Sequence, residues 1–96
     1  MASEADLKKQ LEQEGLAPDR WSNEPGAVYP VHDHPYGKVL VVVTGAITFT
    51  LTDAQREVRL EAGDRLELAP NTRHGAVVGE HGVVCLEAHR PPPVDH

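Results

Sequence analysis

Between residues 26 and 90 the apolar positions recur at short, mostly alternating intervals, the period of half-buried β-strands. Residues 28–31 make a short strand that leads into a histidine pair. Residues 39–43, VLVVV, form an unbroken apolar run without a polar face, which predicts a strand covered on both sides. Residues 46–52, AITFTLT, alternate apolar side chains with threonine, and residues 57–61, EVRLE, place Val58 and Leu60 on one face. Gly45 is read as turning the chain after VLVVV, residues 53–56 as the next turn, and Ala62-Gly63-Asp64 as the turn that delivers Leu66 and Leu68. After His74 come the run GAVV, a further turn around residues 79–82, and a last strand over residues 83–88. Hairpins at this short, even spacing predict an all-β fold built as a small barrel.

The two ends of the chain break the pattern. Residues 3–14, SEADLKKQLEQE, carry an N-cap at Ser3, Asp6 three places on, Leu7 and Leu11 at i, i+4, and a stop at Gly15, which together predict one short α-helix. Its apolar stripe is narrow, so the helix is expected to lie on the barrel or across a subunit boundary. Residues 16–25, LAPDRWSNEP, hold two prolines and the only tryptophan and read as an extended connector or edge strand anchored by Trp21. Three consecutive prolines from residue 91 cannot continue a sheet, so residues 91–96 are expected to form an extended tail. The expected organisation is one domain over residues 1–96: helix 3–14, barrel 26–90 and tail.

Size and charge narrow the partners. A chain of 96 residues buries only about 60–65% of its unfolded surface, a marginal core that a partner subunit would reinforce, so a homodimer is expected. The net charge is −6 and the nine basic residues are scattered, which argues against a nucleic-acid or anionic-membrane surface. No apolar run approaches the ~20 residues of a membrane span, and the first ten residues, MASEADLKKQ, are charged where a signal peptide is apolar. A cytoplasmic location is therefore expected. Cys85 is the only cysteine, which excludes an internal disulfide and suits a reducing compartment; among valines and leucine it reads as a buried, inert thiol.

The chemistry gathers in residues 26–45, GAVYPVHDHPYGKVLVVVTG. On a strand His32 and His34 point to the same side, and imidazole is the commonest neutral ligand for transition metals. A third histidine, His74, follows a Gly/Asp turn and a short strand, so a neighbouring strand can bring its nitrogen to the same point. Three imidazoles suffice for a metal site with open positions. Asp33, between the pair, faces away by alternation.

These residues resemble the two motifs of the cupin superfamily, in its small single-domain, RmlC-like form. Gly26, His32, His34, position 38 and Gly45 fall at the spacing of G(x)5HxH(x)3,4E(x)6G, with Lys38 where the glutamate belongs. Gly63 and His74 match G(x)5PxG(x)2H(x)3N, while Ala69, Asn71 and Val78 replace its proline, glycine and asparagine. Asn71 keeps the turn feasible, because asparagine tolerates the left-handed region. The resemblance implies a jelly-roll barrel and one divalent transition metal (Zn, Mn, Fe, Ni or Cu) held by His32, His34 and His74. It implies less about the reaction, since the superfamily hosts many chemistries.

Lys38 is the informative departure. In metal-binding cupins the glutamate at this place is usually the fourth ligand, whereas an ammonium donates three hydrogen bonds and offers a cation no lone pair. Alternation from His34 through Tyr36 puts Lys38 on the ligand face, where a divalent ion would repel it. Three arrangements stand open. The metal is held by three histidines and waters; Lys38 turns to solvent or pairs with a carboxylate such as Glu87; or the site holds no ion. A desolvated Lys38 acting as base or nucleophile is a fourth.

Arg73 reads either as a clamp for an anionic substrate or as a rim charge, and Tyr36 either as a donor into the pocket or as packing. His81, His89 and His96 read as surface residues. No nucleophile elbow, phosphate loop or Ser-His-Asp pattern is present in the sequence. Two functions remain. One is a dioxygenase or isomerase of a small polar molecule, with Tyr36, Lys38 or Arg73 orienting an anionic group. The other is a non-catalytic barrel that binds or senses a small ligand, with a structural metal or none.

Overall fold

The computed structural model of the protein describes residues 3–90. The tail at residues 91–96, His96 included, lies outside the described residues. Helix α1 spans Glu4–Gln13, and both of its ends are closed by local chemistry. At the start Ser3 Oγ accepts from the Asp6 amide at 3.1 Å while the Asp6 carboxylate accepts from the Ser3 amide at 3.3 Å, a reciprocal capping box. At the end the Leu16 amide reaches the Leu11 carbonyl at 3.1 Å and the Gly15 amide the Glu12 carbonyl at 3.0 Å, a Schellman pair with Gly15 in the left-handed region. The accompanying apolar residues, Leu7, Leu11 and Leu16, are all buried.

Six strands follow: β1 (Asp19–Asn23), β2 (Val28–His32), β3 (Gly37–Leu51), β4 (Arg56–Glu61), β5 (Arg65–Leu68) and β6 (His74–Arg90). β3 and β6 form one long antiparallel pair running from Gly37↔Arg90 to Leu51↔His74. Four short strands flank that pair. β5 joins the first half of β3 and β4 its second half, while β2 joins the first part of β6 and β1 its later part. One end of the sheet therefore reads β1-β6-β3-β5 and the other β2-β6-β3-β4.

Two expected turns are bends instead. The chain does not reverse at Gly45 or around residues 79–82, because β3 and β6 continue through both places. The register slips between Val42 and Thr44 and again between Gly45 and Ile47, so extra residues are absorbed as bulges that bend the pair. Glycine is required at this corner. Gly45 has φ +80°, and a Cβ there would sit 2.0 Å from the Gly82 carbonyl oxygen. The expected turns around residues 53–56 and 62–64 are real reversals, the first closed by the Gln55 amide on the Thr52 carbonyl and the second by the Asp64 amide on the Glu61 carbonyl.

The VLVVV run is covered on both faces, as its lack of a polar side predicts. Leu40 and Val42 point into one cluster with Ile47, Phe49, Leu60, Leu68, Ala76, Val78, Val83 and Cys85. Val39 and Val41 point the other way, against Leu7, Leu11 and Leu16 of the helical segment and Leu86 and Ala88 of β6. The segment expected as a connector or edge strand is β1, and its Trp21 packs against the first cluster, edge-on to Tyr29 at 6.0 Å between ring centroids.

Candidate metal centre

The three histidines converge from two strands and a loop. His32 is the last residue of β2 and His74 the first of β6, and the two are paired across the antiparallel register. His34 is not on a strand as expected but two residues beyond the end of β2. Its loop is held instead by the neighbouring turn, where Asn71, at φ +62°, donates its amide to the His34 carbonyl at 2.6 Å. That left-handed asparagine is the motif position normally held by glycine, so the substituted turn still does its mechanical work. Ring centroids are 4.8 Å apart for His32 and His34, 4.5 Å for His32 and His74, and 5.6 Å for His34 and His74. One ligand atom from each falls within 4.8 Å of the others, and no other such cluster occurs among the described residues.

Hydrogen bonds orient two of the rings. His32 Nδ1 lies 2.7 Å from the Pro30 carbonyl oxygen and His74 Nδ1 lies 2.8 Å from that of Thr72. A carbonyl only accepts, so each Nδ1 carries the proton and donates it, which leaves the Nε2 lone pair free. His34 Nδ1 lies 3.3 Å from the Tyr36 hydroxyl, a partner able to accept as well as donate. His34 Nε2 is buried with no hydrogen-bond partner. A buried, unpartnered ring nitrogen is costly in a closed core but is what a ligand awaiting an ion presents.

The electrostatics favour neutral rings at His34 and His74. Burial pushes the His34 imidazole below its ordinary pKa, helped by the positive charge of Lys38 and the other two histidines. Burial likewise lowers His74, which is 4% exposed, against the opposing pull of the Thr72 carbonyl. Neutral imidazole is the form that binds metal.

The cluster opens on a cavity of about 310 Å³, at the small end for ligand pockets. Trp21, Tyr29, Leu40, Ile47, Phe49 and Ala76 make its apolar wall, and Asn23, Lys38 and Glu87 its remaining polar groups. Of the arrangements open for Lys38, the structure has the pairing with Glu87, Nζ to Oε1 at 2.8 Å. Arg73 is exposed, lies 3.6 Å from Asp53 and does not line the cavity. Tyr36 does not line the cavity either; it stacks between His34 (5.0 Å) and His89 (3.9 Å). His89 is exposed, as expected, yet this stacking gives it a contact that spacing did not suggest. Asp33 and His81 are exposed, and Cys85 is fully buried with its thiol pushed up by burial to about 12, an inert group. Asn23 and Tyr29 went unnoticed in the sequence, although each sits on a strand flanking β6 and only pairing register brings it to the cavity.

The family model of the Cupin domain matches residues 20–87. The chain belongs to the cupin family. That match covers both histidine-bearing segments, all six strands except the ends of β1 and β6, and the cavity wall. Among solved structures, KdgF from Halomonas sp. is 30% identical with a TM-score of 0.64, over 79% of this chain and 70% of that one. An RmlC-like cupin from Shewanella frigidimarina NCIMB 400 is 27% identical with a TM-score of 0.68, over 80% and 67% of the two chains. The DMSP lyase DddQ from Ruegeria pomeroyi DSS-3 shares the fold at 21% identity and a TM-score of 0.72, with 84% of this cupin covering 41% of that chain. No curated protein matches the sequence.

Proposed function

We propose that this cupin binds one divalent transition metal ion through Nε2 of His32, His34 and His74 and acts on a small polar molecule in the adjoining cavity. The observation that carries the reading is the orientation of the rings. Backbone carbonyls fix Nδ1–H on His32 and His74, and His34 Nε2 is buried without a partner beside them. Zn, Mn, Fe, Ni and Cu all accept imidazole. When bound, such an ion supplies Lewis acidity and vacant coordination positions, which suit dioxygenase or isomerase chemistry. The chain's own contribution is to orient the imidazoles, to keep His34 and His74 neutral by burial, to exclude water with the apolar wall, and to place Lys38 and Glu87 beside the ligand.

Elemental analysis of protein purified without an affinity tag or chelator tests this directly, alongside a His32→Ala/His34→Ala variant. Near-stoichiometric metal in the wild type and none in the variant is expected. Wild-type protein that holds no metal, even after Zn, Mn, Fe, Ni or Cu is added, overturns the proposal. A second reading, a binding or sensing barrel without turnover, draws support from Lys38, whose ammonium stands where a carboxylate ligand is usual. Substrate turnover by the loaded protein separates the two. We also propose that the chain self-associates, since Val28, Val31 and Val77 are 67%, 50% and 49% exposed on a domain with a small core. A single monomeric species in sedimentation velocity at micromolar concentration removes that element.

A further inference from the structure

The Lys38–Glu87 pair is unlike the other ion pairs of the molecule. Arg65 and Glu14, joined at 2.6 and 2.7 Å, tie β5 to the end of the helix, and Arg20 with Glu4 ties β1 to its start. Arg90 and Glu67 join β6 to β5 on the outside of the sheet. Each of these links elements with little or no backbone pairing between them. Lys38 and Glu87 join β3 to β6, which backbone hydrogen bonds already hold in register on both sides of the pair. The pair lies in the wall of the cavity, with side chains only 13% and 23% exposed, where removing two charges from water is costly. Glu87 is the only charged partner of Lys38 among the described residues, and an ammonium has three protons to donate.

From this placement we infer that Lys38 is an anion anchor, that Glu87 is its resting counter-ion, and that the cavity takes a small carboxylate with an apolar or aromatic body. The carboxylate of the ligand lies between the imidazole cluster and Lys38 and displaces Glu87. Its body lies against Trp21, Tyr29 and Phe49. Three features favour an anion over a neutral or cationic ligand. Three imidazoles bring no negative charge, so an ion held by them keeps its full charge where a glutamate ligand would have reduced it. Lys38 lines the same cavity as the three histidines and brings a positive charge to their side of it. Glu87 is the more exposed partner of the pair and has the shorter way out to water. The inference rests on the three-histidine proposal for its second anchor, whereas the role of Lys38 depends on the cavity alone.

Trp21, the only tryptophan, lines the cavity, so its emission reports occupancy. The probes are phenylacetate and its neutral isostere phenylacetamide, titrated into zinc-loaded and zinc-free protein at fixed ionic strength. Phenylacetate is expected to bind about tenfold or more tightly than the amide. Lys38→Met should remove most of that preference while leaving the amide unchanged. Glu87→Gln should strengthen phenylacetate binding by about threefold or more, because the competing carboxylate is gone. Should Lys38→Met fail to fold, the Lys38→Met/Glu87→Gln double variant leaves no unpaired buried charge and is expected to show the same loss. Equal affinity for acid and amide, an unchanged preference without Lys38, or weaker acid binding in Glu87→Gln overturns the inference. Zinc content of the same samples reads the metal proposal separately. Protein that holds no zinc but still prefers the acid through Lys38 removes that proposal and keeps this one.

Discussion

The two faces of β3 are built from the same residue types and finished in opposite ways. On the outer face Val39 and Val41 are sealed by Leu7, Leu11 and Leu16, with the helix capped at both ends and clamped by Glu14 to Arg65. On the inner face Leu40 begins an apolar floor that opens, within a few residues, onto the histidine cluster and the Lys38–Glu87 pair. Every apolar group on the sealed side has a neighbour; the open side leaves His34 Nε2 buried and unpartnered. In a small domain stability and chemistry compete for the same strand, and here they are assigned to opposite sides of it. The ion pairs divide in a similar way: Glu14–Arg65, Glu4–Arg20 and Glu67–Arg90 join elements on the outside, and Lys38–Glu87 lies in the cavity wall.

If that division holds, changes on the sealed face should cost stability and spare the site. The largest effect is expected from Leu11→Ala, which empties a side chain that is 1% exposed; a loss of about 2–5 kcal/mol should appear in chemical denaturation. Metal content of the folded fraction should be unchanged. On the open face, zinc at about a hundred times its dissociation constant should stabilise the wild type by about 2.7 kcal/mol and His74→Ala by almost nothing, read as a concentration-dependent shift in melting temperature. Ser3→Ala, which breaks the capping box beneath the sealed face, should cost about 1 kcal/mol and leave zinc binding alone. The last contrast is a slope with pH. His34 and His74 are held below their ordinary pKa in the folded chain, so the unfolded chain binds more protons as pH falls from about 6.5 toward their lowered values. Stability of the metal-free protein should therefore be full above that window and decline through it, and His74→Ala should flatten the decline in thermal melts. A profile unaffected by His74→Ala would show that the open face does not carry the titration.

Much of this was legible before the structure. The caps of α1 and the reversal at Ala62-Gly63-Asp64 rest on contacts within a few residues, where side-chain type and spacing decide the outcome, and the alternation of residues 46–51 and 57–61 marked strands whose partners it did not name. The spacing of His32, His34 and His74 within two cupin motifs marked the ligand candidates. Gly45 was visible as a break but not as a corner. A glycine signals a special φ without saying whether the chain reverses or bends, and here the opposing Gly82 carbonyl decides for a bend. Alternation places Lys38 on the cavity side, yet it does not decide whether an ion, solvent or Glu87 meets it. Arg73 carried the right chemistry next to the right histidine, yet it lies in the loop before β6, exposed and near Asp53, where strand alternation does not fix its direction.

By itself, then, the sequence determined the donors: which strands alternate, which residues can bind a metal, and which one carries an ammonium where a carboxylate is usual. Tertiary structure decided what those donors meet. The pairing of His32 with His74, the Asn71 amide that holds the His34 loop, the stacking of Tyr36 on His89 and the joining of Lys38 to Glu87 all depend on the register between β3, β6 and their neighbours. That register is shifted by bulges near Gly45 in the β3–β6 pair and by an irregularity between Tyr29 and His32 in the β2–β6 pair, across chain separations of tens of residues. A shift of one residue there would turn the strand residues His32, Lys38, His74 and Glu87 to the opposite face, which is why no local pattern could settle what they meet.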